Sequence, residues 1–267
     1  MTGPEIVVVA DPTAAAQRAA AIIADTLRGA VEARGRADWT TTGGSTPVGI
    51  YRAMVDSDIG GSIPWNDVHT WWGDDRFVPS DHPLSNVKPF DDVLLEAGGW
   101  ETVHSDDPKA RVRIPVANVH PFRTGEAIGT QRSPAWCAAR LVEELRDAAL
   151  TQVDDWPVFD LMVVGLGADG HILSVFPGSP AFRSIRWALA VPAPADVEPH
   201  VERVTLNPAM VRVAERVLVV VHGRNKADVV SRIFGPDRDP RQLPGQLALR
   251  DGATWILDEA AAADLPR

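Results

Sequence analysis

Short apolar runs recur along the chain and are separated by longer stretches of mixed composition. The run at residues 6–10 is continuous and apolar, which is typical of a strand buried on both faces of a sheet. The segments 67–73, 159–167 and 214–223 are further strand candidates, each of which ends in glycine. These runs predict the strands of a central sheet.

Helical patterns lie between these runs. A long alanine-rich helix follows the first run, with Asp11 as its N-cap and Pro12 at its first position. Residues 133–150 and 225–235 also have a helical pattern, and the segment 254–265 predicts a strand followed by a short helix. The helices therefore alternate with the strands.

This alternation predicts the fold class. Strands that alternate with helices favour an α/β fold with an open, mostly parallel sheet and helices on both faces, as in Rossmann-like proteins. The chain shows no internal repeat and no long linker. We therefore expect residues 1–267 to form a single domain.

Charge and cysteine content exclude several classes of function. The chain has 267 residues and a net charge of −10, which repels nucleic acid and anionic lipid. An anionic substrate must then be held by a local cluster of Arg, Lys and backbone N–H groups. Its single cysteine, Cys137, excludes an intrachain disulfide and argues against a cysteine-based zinc site.

The chain carries no sign of a membrane or export function. The first apolar run is short and Glu5 precedes it, so it predicts a strand and not a signal peptide. No apolar segment approaches the length that spans a bilayer. We therefore expect a cytoplasmic protein with neither nucleic acid nor membrane as a partner.

The segment GLGADGHILSVFPG (165–178) combines a glycine pattern with a histidine. Its Gly-x-Gly-x-x-Gly spacing is that of a dinucleotide loop, but no ribose-binding acid follows about 20 residues later and Pro177 interrupts the next segment. His171 is either a structural histidine or a catalytic one. The carboxyl end of a parallel strand favours catalysis, and Asp169 can orient the imidazole.

The segment TTTGGSTPVGIYRAM (40–54) has the pattern of an anion-binding turn. Gly43 and Gly44 permit a tight turn, and Ser45 or Thr46 can cap a helix that begins at Pro47. The free N–H groups of such a helix suit a phosphate. A plain strand-to-helix turn with a good cap explains the same residues equally well.

Charged residues at three other places are candidates for ligand binding. The segment 71–86 joins Asp74, Asp75 and Arg76 to the end of a tryptophan-rich strand. A metal site lacks a supporting histidine pair there, so the alternatives are a solvated charge cluster and an anion clamp that uses Arg76. Arg203 and Lys226, taken singly, are typical surface charges.

Five segments together resemble the 6-phosphogluconolactonase family: GGSTP, WGDDRFVP with a later SN, GLGADGHILSVFPG, RVTL and VVHGRNKA, in that order. The resemblance extends over nearly the whole chain. It implies a fold of the sugar-phosphate isomerase type. The wider group includes glucosamine-6-phosphate deaminases, which share the Gly-Gly turn and the Asp-Gly-His loop.

Two positions separate the lactonases from the deaminases. Deaminases have a glutamate-proline pair where this chain has Phe176 and Pro177. They also read Asp-Glu-Tyr where this chain reads Asp74-Asp75-Arg76, and the arginine there is the lactonase pattern. Three departures concern substrate choice: Ile172-Leu173 in place of Thr-Ala, Asp75 in place of glutamate, and a polar WTTT strand before the glycines. None of them removes a group that lactone hydrolysis requires.

The resemblance implies hydrolysis of 6-phospho-D-glucono-1,5-lactone to 6-phospho-D-gluconate in the oxidative pentose phosphate pathway. It implies no metal and no organic cofactor, with His171 activating water and Asp169 orienting it. The substrate-binding residues it implies are Gly43, Gly44, Ser45, Thr46, Asp74, Arg76, Arg203 and Lys226. The partner is then a small phosphosugar lactone, and we expect a monomer or a small homo-oligomer.

Three rival interpretations remain at this point. A glucosamine-6-phosphate deaminase or isomerase is opposed by Phe176, and a nicotinamide oxidoreductase is opposed by the missing ribose acid. A non-catalytic sugar-phosphate-binding protein is disfavoured because Asp169 and His171 are both present.

Overall fold

A computed structural model of the chain describes residues 3–56, 59–95 and 112–265. The strands are β1 Glu5–Val9, β2 Ala37–Thr41, β3 Val68–Trp72, β4 Asp74–Arg76, β5 Val119–His120, β6 Gln152–Val153, β7 Trp156–Pro157, β8 Leu161–Val164, β9 Ala188–Val191, β10 Arg203–Leu206, β11 Arg216–Val221 and β12 Ala253–Asp258. The α-helices are α1 Pro12–Arg34, α2 Ser45–Asp56, α3 Thr124–Gly129, α4 Pro134–Asp147, α5 Ala209–Val213 and α6 Ala227–Phe234.

Short helical turns connect several of these elements. Phe90–Leu95 is a π-helical turn. The 3₁₀ turns are Gly60–Ser62, Trp65–Asp67, Val116–Asn118, Pro180–Arg183, Arg224–Lys226 and Pro244–Ala248.

The main sheet has seven strands in the order β1-β12-β11-β8-β2-β3-β5, and all of its pairings are parallel. Every residue of β2 and β8 is buried, as expected for parallel strands covered on both faces. Four fully buried tryptophans dominate the core by volume, namely Trp39, Trp71, Trp72 and Trp255. The predicted α/β fold with a mostly parallel sheet is confirmed.

A smaller antiparallel sheet lies beside the main one, with the strand order β4-β10-β9. Its register places Arg203 of β10 directly opposite Arg76 of β4. Like charges directly opposite each other destabilise a strand pair. The pairing of these two strands therefore does not by itself explain why two arginines face each other.

Helix α1 begins and ends as its sequence predicts. The side chain of Asp11 accepts a hydrogen bond of 2.8 Å from the backbone N–H of Ala14, and Pro12 occupies the first turn. Gly35 follows in the left-handed region with φ of 73°, and its N–H bonds to the carbonyl of Val31. The alanine-rich face packs across β12, β11, β8 and β2.

Two sequence predictions are wrong. The run at 6–10 forms an edge strand and is not buried on both faces: Ile6 is 43% exposed and Val8 50% exposed. After β12, residues 259–264 form turns and not the predicted short helix. None of the helices in the described residues is both long enough and apolar enough to cross a membrane.

Candidate active site

The candidate site lies where the strand order of the main sheet reverses. Along the chain β2 leads to β3 and β5 on one side, whereas β8 leads to β11 and β12 on the other. Ligands of open α/β sheets bind outside the carboxyl ends of the strands at such a reversal. A cavity of about 370 Å³ is found there, lined by residues that follow β2, β3, β8 and β11.

The cavity contains nearly all of the predicted site residues. It is lined by Gly43, Gly44, Ser45, Thr46, Asp74, Arg76, His171, Arg203 and Lys226. Asp169 is the one predicted residue outside this lining, and it reaches the cavity through His171.

His171 and Asp169 form a hydrogen-bonded pair. Nδ1 of His171 lies 2.5 Å from Oδ1 of Asp169. Burial alone raises the pKa of Asp169, but the hydrogen bond and charge of His171 outweigh it and hold that pKa below its usual value. The carboxylate is therefore ionised near neutral pH and keeps a proton on Nδ1, which leaves Nε2 as the basic nitrogen.

Gly167 makes room for this pair. A Cβ at Gly167 would lie 2.1 Å from Nδ1 of His171 and 2.6 Å from Oδ1 of Asp169, so no side chain fits there. No helix follows Gly170, where a dinucleotide loop would place one; Ile172 and Val175 instead form an isolated bridge. The glycine spacing therefore serves the histidine pair.

An aromatic ring supports the histidine from one side. The rings of His171 and Phe176 have centroids 4.6 Å apart. The guanidinium carbon of Arg203 lies 5.7 Å from the centroid of the same Phe176 ring. Phe176 is thus a neighbour of both the histidine and the arginine.

The glycine turn after β2 forms another wall of the cavity. Gly44 has φ of +89°, a conformation that favours glycine, whereas a Cβ at Gly43 would lie 1.7 Å from Oδ1 of Asn86. Helix α2 begins at Ser45 and not at Pro47, so the prediction that Ser45 or Thr46 caps a helix from Pro47 is wrong. Both hydroxyl residues lie in the first turn, because the helix starts directly after the glycines.

Two arginines, Arg203 buried and Arg76 half-buried, face the cavity from adjacent strands. Arg203 is 3% exposed. Nε of Arg76 and Nε of Arg203 are both buried without a hydrogen-bond partner among the described residues. Burial, and next the positive charge of Arg76, lower the pKa of Arg203. Two neighbouring guanidiniums, each with an Nε that lacks a partner, are an arrangement that an anion stabilises.

Lys226 completes the cationic lining. Its Nζ donates a hydrogen bond of 2.7 Å to the carbonyl of Leu166, at the end of β8. Burial lowers the pKa of Lys226, although the negative charge of Asp169 acts in the opposite direction. The ammonium group is thus held near the His171 loop, on the chain that follows β11.

The two adjacent aspartates have different environments. Asp74 lines the cavity, and its Oδ2 accepts a hydrogen bond of 2.6 Å from the hydroxyl of Ser174. Asp75 is fully buried and accepts the backbone N–H groups of Arg76 and Asn86, each at 2.7 Å. Burial raises the pKa of Asp75 to about 7. Asp75 therefore organises the loop, whereas Asp74 faces the ligand space.

Several cavity residues were not assigned a role from the sequence, among them Asn86 and His222. Asn86 lines the cavity and belongs to the SN pair of the second of the five segments. His222 also lines it, and its Nε2 shares a hydrogen bond of 3.3 Å with Oγ1 of Thr46. Their position within two of the five segments was the only sequence signal for them.

A larger cavity of about 750 Å³ adjoins the first and shares Ser45, Thr46, Val220 and His222 with it. Its remaining walls come mainly from apolar side chains of α1 and α2. No histidine–carboxylate pair lines it, so the smaller cavity carries the chemistry. Within the residues that the structure describes, no three His, Cys, Asp or Glu side chains are grouped as metal ligands.

Comparison with known proteins agrees with this geometry. Residues 10–256 match the family model described as glucosamine-6-phosphate isomerases/6-phosphogluconolactonase. The chain is 30% identical to the 6-phosphogluconolactonase of Synechocystis over 98% of both chains. It is 34% identical to that of Mycobacterium tuberculosis over 89% of this chain and 88% of the other.

Solved structures show the same fold. The 6-phosphogluconolactonase from Trypanosoma brucei superposes with a TM-score of 0.79 at 26% identity, over 98% of this chain and 99% of that one. A monomeric glucosamine-6-phosphate deaminase superposes with a TM-score of 0.74 at 19% identity, over 97% of this chain and 99% of that one. The chain belongs to the family of glucosamine-6-phosphate isomerases and 6-phosphogluconolactonases.

Proposed function

We propose that this protein hydrolyses 6-phospho-D-glucono-1,5-lactone to 6-phospho-D-gluconate, a step of the oxidative pentose phosphate pathway. The observation that carries the proposal is a histidine whose Nδ1 is held by an ionised aspartate, in one cavity with two arginines whose Nε groups lack a partner among the described residues. Relatives at 30–34% identity that bear the 6-phosphogluconolactonase name support the same reaction.

In this mechanism His171 transfers protons in both directions. Nε2 takes a proton from water as the oxygen attacks the lactone carbonyl, which gives a tetrahedral oxyanion. When that intermediate collapses, the bond between C1 and the ring oxygen breaks, and the imidazolium returns its proton to that oxygen. Asp169 stabilises the imidazolium between these steps through its contact with Nδ1.

The cationic residues hold the phosphorylated substrate. Gly44, Ser45 and Thr46 offer the first turn of α2 to the 6-phosphate, together with Arg203 and Lys226. Arg76 is a further anion contact, and Gly43 and Asp74 complete the binding wall. Binding energy from a phosphate remote from the carbonyl fixes the lactone for attack.

The proposal also includes the location of the protein in the cell, its partners and its cofactors. The protein acts in the cytoplasm on a small molecule, with no nucleic acid or membrane partner, as one domain that is a monomer or a small homo-oligomer. The net charge of −10 supports this, since it disfavours contact with polyanions. The reaction needs neither a metal nor an organic cofactor, because His171 can activate water unaided.

The test is acid release from freshly prepared 6-phosphogluconolactone, corrected for spontaneous hydrolysis. Catalysed release that is unchanged by prolonged EDTA treatment is the expected result. Ammonia release from glucosamine 6-phosphate without lactone hydrolysis would instead identify a deaminase, which Phe176 beside His171 opposes. Tight 6-phosphogluconate binding without turnover would identify a sugar-phosphate-binding protein.

A further inference from the structure

The side chain of Asn86 lies between an acidic and a basic residue of the cavity wall. Its Oδ1 accepts a hydrogen bond of 2.6 Å from Nη1 of Arg76. Its Nδ2 donates to Asp74 twice, to the backbone carbonyl at 2.7 Å and to Oδ1 at 3.2 Å. One neutral amide therefore contacts both charged side chains.

The backbone around Asn86 is fixed on the opposite side. Its N–H donates to Oδ1 of the buried Asp75 at 2.7 Å, and its carbonyl accepts a hydrogen bond of 3.0 Å from Nε1 of Trp72. The amide also fills the space that a side chain at Gly43 would need. Asn86 is only 2% exposed, so its orientation is set by these contacts and not by solvent.

Asp74 and Arg76 line the same cavity. In the part of the chain that the structure describes, they do not form an ion pair with each other. Asp74 is satisfied by Ser174 and Asn86 instead, through the 2.6 Å and 3.2 Å bonds. A direct pair would neutralise the guanidinium that the substrate needs. The amide satisfies both partners and adds no charge.

We propose that Asn86 is a positioning residue, which keeps Asp74 and Arg76 apart so that the guanidinium of Arg76 stays available to an anionic group of the substrate. This inference rests on the proposed lactonase function, because it assigns Arg76 to the substrate. It adds a residue that acts through Arg76 and does not itself perform chemistry.

The experiment compares four proteins: wild type, Asn86→Ala, Arg76→Ala and the double variant. Affinity for 6-phosphogluconate is measured by calorimetry, and KM and kcat are measured with the lactone. Asn86→Ala is expected to weaken binding and raise KM about tenfold, the order of one charge-assisted hydrogen bond, with a smaller change in kcat. In the Arg76→Ala background the same substitution has no further effect, because its target is already gone.

Asn207→Ala is the matched control. Asn207 is as buried as Asn86 and donates to the carbonyls of Ser184 and Arg186, but it does not line the cavity. It is expected to lower the melting temperature and leave KM unchanged. Asn86→Asp is the second variant, should the alanine variant not fold. It keeps the bond to Arg76 but replaces the Nδ2 donor to Asp74 with a carboxylate oxygen, and its charge pairs with the guanidinium. Our proposal therefore predicts a KM at least as high as that of Asn86→Ala.

Three results would overturn the inference. These are unchanged affinity in Asn86→Ala, an additive loss in the double variant, or a mild Asn86→Asp phenotype. If wild type shows no lactone hydrolysis while the affinity pattern holds, the proposed function fails and the role of Asn86 in anion binding stands.

Discussion

Two regions of the molecule pair a half-buried histidine with a carboxylate, and they are built differently. In the candidate active site, His171 bonds to Asp169 and faces a cavity. Near α4, Nδ1 of His69 and Nε2 of His120 share a hydrogen bond of 2.9 Å, and Nδ1 of His120 lies 3.7 Å from Glu144. We call this second group, His69, His120 and Glu144, the histidine cluster.

The histidine cluster has most of its polar groups bonded within the protein, although Oε2 of Glu144 is buried without a hydrogen-bond partner among the described residues. The ring of His120 stacks on Trp71 with centroids 3.9 Å apart, and both of its nitrogens face partners. The arginines around its 470 Å³ crevice are each paired with an acid: Arg36 with Asp38, Arg123 with Glu144, and Arg140 with Glu143. Nothing there calls for an anionic ligand.

The active site differs because its cations lack such partners. Nε of both Arg76 and Arg203 is unsatisfied among the described residues, although the two arginines lie opposite each other in adjacent strands. A histidine–carboxylate pair is therefore a weak sign of catalysis by itself. The stronger sign is unsatisfied donors collected beside it, because folding alone does not favour them.

The largest expected effect is the loss of activity on removing the active-site histidine. His171→Ala is expected to lower kcat about 10²–10⁴-fold, the usual contribution of general acid–base catalysis. His69→Ala, the matched change in the histidine cluster, leaves kcat within a few-fold of wild type. Steady-state lactone hydrolysis checks both. Equal losses at matched stability would remove the distinction between the two regions.

Gly167→Ala is expected to cause the next largest loss. The new Cβ would overlap both His171 and Asp169, so the pair separates and kcat falls about tenfold or more, because pairing sets the tautomer of the histidine. Gly29→Ala is the control, since no atom lies within 4 Å of its Cβ position on α1. That change stabilises the helix by about 0.5–1 kcal/mol and leaves kcat unaltered.

Replacing an arginine with alanine is expected to change ligand affinity in the active site but not in the crevice of the histidine cluster. Arg203→Ala is expected to weaken 6-phosphogluconate binding by about 1.5–3 kcal/mol, or about 10–150-fold. Arg140→Ala removes an arginine of the crevice that is already paired with Glu143 and is expected to leave affinity unchanged. Calorimetric titration of both variants measures the difference. Similar affinities in the two variants would contradict the assignment of Arg203 to the substrate.

The last expected effect is on stability as a function of pH and not on catalysis. Burial, and next the charge of Arg36, lower the pKa of His69 to about 4 in the folded protein, whereas an unfolded histidine has a pKa of about 6.5. The unfolded chain therefore binds the extra proton first. This contribution to stability is complete above about pH 6.5 and is lost as the pH falls to about 4, at no more than about 1.4 kcal/mol per pH unit.

The measurement is the difference in unfolding free energy between wild type and His69→Asn from pH 7 to pH 4. The difference is needed because Asp75 acts in the opposite direction. Its pKa is raised by burial to about 7, so its contribution falls as the pH rises from about 4 to 7. A difference that does not change with pH would show that His69 titrates normally.

The fold and the site segments were predictable from sequence because their signals are local. Asp11 and Pro12 mark the start of α1, and buried apolar runs mark the strands. The exposure of Ile6 and Val8 was not predictable, since an apolar run shows that a strand forms but not whether it lies at the edge of the sheet.

The site geometry was predictable only in part. The segments placed nearly all of the cavity residues, but the opposition of Arg76 and Arg203 depends on the register of β4 and β10. The contacts of Asn86 join residues brought together by folding, and no spacing in the chain encodes them. Tertiary pairing of this kind has no local sequence signal.

The position of β1 has a consequence for synthesis of the chain on the ribosome. Among the described strands β1 pairs with β12 alone, so Glu5 meets Thr254 across almost the full length of the chain. A contact of such high sequence separation forms slowly, and it cannot form before residues 253–258 have been made. Strand β1 is translated before the other described strands, yet it is among the last to be incorporated, and until then its apolar side chains are open to chaperones.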